Sequence, residues 1–248
     1  MRGLGGGAVV AGVEREGAAR RVEPLVYYAH GGPLGQAIRA LQSTHEKLRY
    51  GVVGLGVGAS ACYVRPGDTW STYEIDPLVV HIARDSGNFT FMNQCAPAAR
   101  VQVGDARLSL AREPDGIYDV LILDAYSSDS IPMHLVTREA LALFRTKLAP
   151  GAVIMFNISN RYLRLEPVVA KAAQAAGLVG IAQVYPGTPK TDGEPPDGSQ
   201  WLALAANADD LNAIASSGKW RPLKPAHDTP LWTDDFSNLV GVIDFGIH

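Results

Sequence analysis

The segment YDVLILDAYSSDSIP, residues 118–132, holds an unbroken apolar run at 120–123 that passes directly into Asp124. A short apolar run without alternation is what a strand covered on both faces requires. The exit from this run is too polar for a simple turn: Tyr126, Ser127, Ser128, Asp129 and Ser130 crowd it before Pro132 stops the segment. A carboxylate placed straight after a buried strand is costly unless it is hydrogen-bonded or used in chemistry. Asp124 is therefore the first candidate for a functional acid.

Outward from this strand, apolar runs alternate with helical patterns. Strands are expected at 50–54, 69–75, 101–103, 118–123 and 152–158, and helices at 59–64, 78–84, 137–148 and 166–176. Pro77 suits a first helical turn, Asp76 reads as its cap, and Pro150-Gly151 reads as a stop. The βαβα rhythm predicts an α/β fold with a parallel sheet covered on both faces. Residues 185–200, rich in Pro, Gly and acids, read as a loop or lid, followed by a late strand at 201–206. Residues 1–23 read as a flexible leader or edge segment, and residues 24–248 as a single domain.

The totals narrow the function classes. Hydrophobic residues make up 47% of the 248 and charged residues 19%, which argues against wholesale disorder. The net charge of -3 and the lack of a basic block give a nucleic-acid backbone little to bind. No segment approaches the ~18 apolar residues of a membrane span. The two cysteines, Cys62 and Cys95, have no metal-ligand spacing and read as unbridged, which fits a reducing compartment and a cytoplasmic protein.

GVVGLGVGAS, residues 51–60, sets Gly54, Gly56 and Gly58 at the end of the first strand of the rhythm. Glycines there allow a sharp turn and close approach to a ligand. Glu74, twenty residues after Gly54, stands where an acid commonly grips ribose hydroxyls. The spacing departs from the dinucleotide G-x-G-x-x-G pattern and suits a nucleoside without pyrophosphate better. Asp105 follows the third strand and reads either as a helix cap or as a ligand-facing acid at the same sheet edge.

Together GVVGLGVG, YEID, VGDARLSL and the block LILDAYSSDSIPMHLVTREAL resemble the class I S-adenosylmethionine-dependent transferases, and within them the spermidine synthase family. The resemblance runs from about Pro24 to the C-terminus. Many similar bacterial sequences carry this domain behind a transporter-like membrane segment, and no such segment lies within these residues. It implies a Rossmann-like class I methyltransferase fold and, as cofactor, S-adenosylmethionine or its decarboxylated form, with no metal. It implies that Gly54, Gly56 and Gly58 face the methionine-derived part, Glu74 holds the ribose, and Asp105 with Ala106 receives the adenine. Asp124 is then the catalytic acid that orients an attacking amine and accepts its proton. Tyr28, Gln36, Tyr126, Ser127 and Asp129 are implied on the substrate side, with a small-molecule amine as partner and a homodimer as the assembly relatives often form.

Two departures stand out. Val57 occupies the glycine-loop position where the family usually has an acid for the amino group of the transferred chain. The family's N-terminal β-hairpin, with its substrate-facing glutamine, is not recognisable before Pro24, and Gln36 stands as a partial substitute. Aminopropyl transfer to an amine is the leading expectation, with small-molecule methyl transfer or a non-catalytic nucleoside-binding module as alternatives. Elsewhere the plain readings prevail: His30 as a turn residue, His134 as a cap, Cys62 as a core residue, and Arg107 and Arg138 as surface partners of acids. Trp232, Asp234 and Asp235 read equally as a packed corner or a site wall.

Overall fold

Tyr118–Leu123 is a strand inside an eight-stranded sheet, and its residues 120–123 are sealed from solvent. The structure, a computed structural model, describes residues 2–6, 9–14, 23–24, 28–126, 131–160, 163–187, 198–225 and 228–243. Its strands are β1 (Arg2–Gly6), β2 (Val9–Glu14), β3 (Arg49–Val53), β4 (Thr69–Glu74), β5 (Arg100–Val103), β6 (Tyr118–Leu123), β7 (Leu148–Asn157), β8 (Val179–Tyr185), β9 (Ser199–Ala205) and β10 (Arg221–Pro222). Its α-helices are α1 (Pro33–Thr44), α2 (Pro77–Val80), α3 (Phe91–Cys95), α4 (Ala106–Arg112), α5 (Arg138–Thr146), α6 (Glu166–Ala175) and α7 (Asn212–Ala215).

The main sheet runs β10-β8-β9-β7-β6-β3-β4-β5. Strands β3 to β7 are parallel, and β9 enters antiparallel between β7 and β8. The chain winds one way from β3 to β5 and the other way from β3 through β6 to β7. The carboxyl ends of β3 and β6 therefore form the switch point at which open α/β sheets bind ligands.

Both faces are covered because neighbouring residues of the central strands belong to opposite cores. Val120, Ile122, Val153 and Met155 join one cluster, with Leu34, Ala37, Ile38 and Leu41 of α1. That spacing places the four α1 residues on one stripe, and Pro33 occupies the first helical position without losing a needed N–H. Leu121, Leu123, Ile154 and Phe156 join the other, with Ala140, Leu141 and Phe144 of α5 and Val168, Val169, Ala172 and Ala173 of α6. Asp76 and Thr137 cap their helices through bonds from the Leu78 and Ala140 amides.

The structure departs from the sequence reading in several places. Residues 59–64 form a 3₁₀ turn, Ala59–Tyr63, and α2 passes into a π turn, His81–Asp85. Pro150 and Gly151 do not stop a helix; they lie within β7, where the ladder to β6 shifts register between Tyr118 and Val120. A bulge of that kind accommodates a proline that cannot donate to the ladder. Helix α1 and strand β8 were not foreseen as elements. Within the segment read as a leader or edge segment, residues 2–6 and 9–14 pair as antiparallel strands. Residues 188–197 of the expected loop lie outside the described residues. Among the described residues, no helix is long and apolar enough to cross a membrane.

The cysteine reading is corrected. Cys62 and Cys95 are bridged, with Cα atoms 4.7 Å apart across 33 residues, and tie the 3₁₀ turn to α3. Neither residue is a free core thiol, and the ground for assigning a reducing compartment is removed. Closing a loop of this length restricts the unfolded chain, which typically stabilises by about 2–4 kcal/mol. Reduction, or the Cys62→Ser/Cys95→Ser pair of substitutions, should lower the thermal midpoint accordingly. Superimposable melting curves with and without a dithiol reductant would refute a stabilising bridge.

Candidate active site

At the switch point, the Asp124 amide donates to Val53 O at 2.9 Å, and the Gly54 amide donates to Tyr73 O at 2.9 Å. Gly54 has φ 91°, and a Cβ there would stand 2.4 Å from the Asp124 carbonyl oxygen. Gly58, at φ 81°, lies under Met92 of α3, and a Cβ there would stand 2.5 Å from Met92 Cγ. Glu74, at the end of β4, is buried and receives the Leu55 amide on Oε2 at 2.9 Å and the Asp76 amide on Oε1 at 3.0 Å. The Gly104 amide closes the next gap by donating to Glu74 O at 2.8 Å. Asp105 caps α4 through the Leu108 amide at 2.8 Å, and its other oxygen lies 3.5 Å from His134 Nε2. Ala106 is the first residue of α4. Gly54, Gly56, Gly58, Glu74 and Asp105 thus occupy three adjacent strand ends.

Asp124 lies at the fourth. Tyr28 Oη donates to its Oδ2 at 2.5 Å, and Asn157 Nδ2 donates to its Oδ1 at 2.8 Å. The residue keeps partial access to solvent while its carboxylate is largely desolvated. Burial, the largest influence, pushes the carboxyl up from 3.8 to about 6, against the opposing pull of the Tyr28 and Asn157 hydrogen bonds. The amide of Asn157 has only one workable orientation. Its Oδ1 accepts from both the Ser159 amide, at 3.0 Å, and Ser159 Oγ, at 2.5 Å, so Nδ2 must face Asp124. Tyr28 is itself held, because Tyr63 Oη donates to its carbonyl at 2.6 Å.

Of the substrate-side residues named from the sequence, Tyr28 contacts Asp124 directly, and Tyr126 Oη donates to Asn157 O at 3.1 Å. Gln36 turns its Nε2 to Gly31 O. Ser127 and Asp129 lie outside the described residues. Asn157 and Ser159 were missed, although MFNIS at residues 155–159 repeats the signal of Asp124: an apolar strand ending in a polar side chain. Trp232 is fully buried, and Asp234 binds Arg107 at 2.5 Å and Thr137 at 2.8 Å. Arg138 pairs with Glu139 at 2.5 Å. Val57 is 1% exposed and belongs to the α1-side core.

Comparison with known proteins gives likenesses to aminopropyltransferases and to methyltransferases. Polyamine aminopropyltransferase of Vibrio vulnificus (strain CMCP6) is 34% identical over 113 residues, 43% of this chain. The match spans only 36% of that relative's length. A probable spermidine synthase from Corynebacterium glutamicum ATCC 13032 superposes with a TM-score of 0.61 at 19% identity, covering 84% of this chain and 80% of that one. Human methyltransferase-like protein 13 in complex with SAH gives 0.51 at 21% identity, covering 75% and 86%. No family model matches the chain. The structural likenesses show a class I methyltransferase-like α/β fold, and the sequence similarity supports the spermidine synthase family.

The Asp124 carboxyl makes stability depend on pH with a defined sign. Its folded value of about 6 exceeds the ordinary 3.8, so the folded chain binds this proton more tightly. This contribution to stability therefore falls as pH rises through the interval between those values, and levels off above it. Asp124→Asn should flatten that interval and add on the order of 1–3 kcal/mol at about pH 8. Denaturant unfolding across pH checks this; an unchanged slope would refute a raised carboxyl.

Proposed function

We propose that the chain is an aminopropyltransferase-like enzyme that takes decarboxylated S-adenosylmethionine as donor and a small amine as acceptor. The observation that carries the reading is the Asp124 carboxylate, desolvated, held from both sides, and adjoining the glycine loop at the switch point. A nucleoside fits the neighbouring strand ends by its chemistry. Each Glu74 oxygen accepts one amide N–H and retains a lone pair for a ribose hydroxyl. Gly54, Gly56 and Gly58 offer backbone without side chains, and Asp105 with Ala106 stands where the adenine would be received. Ser127 and Asp129 are proposed on the acceptor side by their place in the sequence.

The sulfonium donor supplies an electrophilic carbon and a thioether leaving group. With a carboxyl near 6, Asp124 is ionised at neutral pH and attracts an alkylammonium, whose ordinary pKa is about 10. The carboxylate takes one proton from the ammonium, which frees the nitrogen lone pair, and it orients the resulting amine as nitrogen forms the new bond to carbon. The carbon–sulfur bond breaks in the same displacement, and methylthioadenosine leaves. Tyr28 and Asn157 keep the two carboxylate oxygens in fixed directions, so the base is aligned before the amine arrives.

Methyl transfer to a small molecule is the second reading, favoured by Val57. Its burial leaves that loop position without a carboxylate for the amino group of a transferred chain. Released S-adenosylhomocysteine in place of methylthioadenosine would select it. For the leading reading, Asp124→Asn should lower turnover by about 10²–10⁴-fold and leave nucleoside affinity nearly unchanged. Activity of the unaltered chain should rise with pH along a limb centred near 6. No methylthioadenosine with any di- or triamine would end this proposal.

A further inference from the structure

The glycine loop does not end at Gly58; hydrogen bonds carry it into the turn that holds Cys62. The Gly58 amide donates to Leu55 O at 2.9 Å, and the Ala61 amide donates to Gly58 O at 3.0 Å. Cys62 and Tyr63 close that turn, and the bridge joins it to Cys95, the last residue of α3. Met92 precedes Cys95 by three residues, a spacing that shares one helix face. It is buried over Gly58, where an added Cβ would stand 2.5 Å from its Cγ. The residues between the two cysteines include all of β4 with Glu74. The same turn also reaches the acid: Tyr63 donates to Tyr28 O, and Tyr28 donates to Asp124 Oδ2.

Helix α3 has five residues, and a helix this short does not persist on its own. Besides the bridge, its anchors include the burial of Phe91 and Met92 and a bond from Asn93 Nδ2 to Arg84 O at 2.7 Å. Cys62 and Cys95 are each half-buried, and Asn93, Gln94, Pro97 and Ala98 around Cys95 are exposed, so a small thiolate can approach the bridge. We propose that the Cys62–Cys95 bridge is a thiol–disulfide exchange site that sets affinity for the nucleoside donor, tighter when bridged and weaker when reduced. A dithiol reverses it: one of its thiolates attacks a bridge sulfur, the S–S bond breaks, and a mixed disulfide forms. Its second thiol then displaces the protein sulfur, so two electrons and two protons pass to the cysteines and the reagent leaves as a disulfide. With α3 untied from the turn, Met92 no longer fixes Gly58, and ligand binding must supply the ordering of the loop. The proposal rests on the reading of a nucleoside donor and adds its regulation.

The test measures binding of methylthioadenosine to the full chain by calorimetry, at a temperature well below the thermal midpoints of both redox forms. Dithiothreitol is expected to raise Kd about fivefold or more, and reoxidation to restore it. The Cys62→Ser/Cys95→Ser pair should bind as the reduced chain does and ignore dithiothreitol. Should that pair fold poorly, the reversible change in the unaltered chain decides. Met92→Ala with the bridge intact should weaken binding and blunt the response, because the side chain between bridge and loop is gone. A bridge that only stabilises the fold moves the midpoint and leaves Kd unchanged, and that result overturns the proposal. A full response in Met92→Ala overturns the route through α3. Absence of binding by either redox form, with methylthioadenosine and with S-adenosylmethionine, overturns the nucleoside reading and this proposal with it.

Discussion

The approach of β3 to β6 at their carboxyl ends governs the rest of the molecule. The Asp124 amide reaches Val53 O, and Gly54 sits so near the Asp124 carbonyl that a Cβ would stand 2.4 Å from its oxygen. Two parallel strands brought this close at their tips cannot be followed by side chains on both, so one tip is glycine and the other turns its side chain outward. Sheet pairing then places the carboxylate beside the glycine loop. The Cys62–Cys95 bridge acts on the same loop from the other side, since α3 supplies the methionine that covers Gly58.

The second constraint is electrostatic. A desolvated carboxylate is expensive, and the fold meets that expense with Tyr28 and Asn157 without cancelling it. A guanidinium or ammonium partner would have pulled the carboxyl below its ordinary range and satisfied it permanently. Two neutral donors leave it near 6, ionised at neutral pH yet still drawn to a cation. Ser159 belongs to this arrangement although it does not touch Asp124. By occupying Asn157 Oδ1 it prevents the amide from turning its oxygen toward another oxygen.

Legibility in the sequence followed how local the cause was. The continuous apolar run of β6 and the cap at Asp76 depend on neighbours in the chain, and they were readable, whereas the cap of α5 is Thr137 and not His134, which lies in the preceding 3₁₀ turn. Glu74 and Asp105 were placed at strand ends correctly because the α/β rhythm sets those ends. Strand β8 was hidden because its apolar run is broken by Gly180 and Gln183, and α1 because HGGPLGQ reads as a loop until Leu34, Ala37, Ile38 and Leu41 meet the sheet. The Pro150-Gly151 pair misled for a related reason: only the register shift against Tyr118 shows that the strand tolerates it. The pairing of Cys62 with Cys95 and of Asn157 with Asp124 arises from contacts across 33 residues in each case, which no short motif encodes.

Val57 gains a physical meaning from its burial. On the sequence alone it is an acid lost from a ligand-facing loop, which weakens recognition of an amino group. In the fold its side chain contributes to the core beneath α1, where a carboxylate would be as costly as Asp124 without the two donors that make Asp124 tolerable. The loop tip is thus left to neutral backbone, with the Glu74 carboxylate held on the Leu55 amide. Under the proposed aminopropyl transfer, Asp124 is then the acid that meets the attacking amine. Chemistry that begins with an ammonium and ends with a neutral leaving group is well served by a single titrating carboxylate placed there.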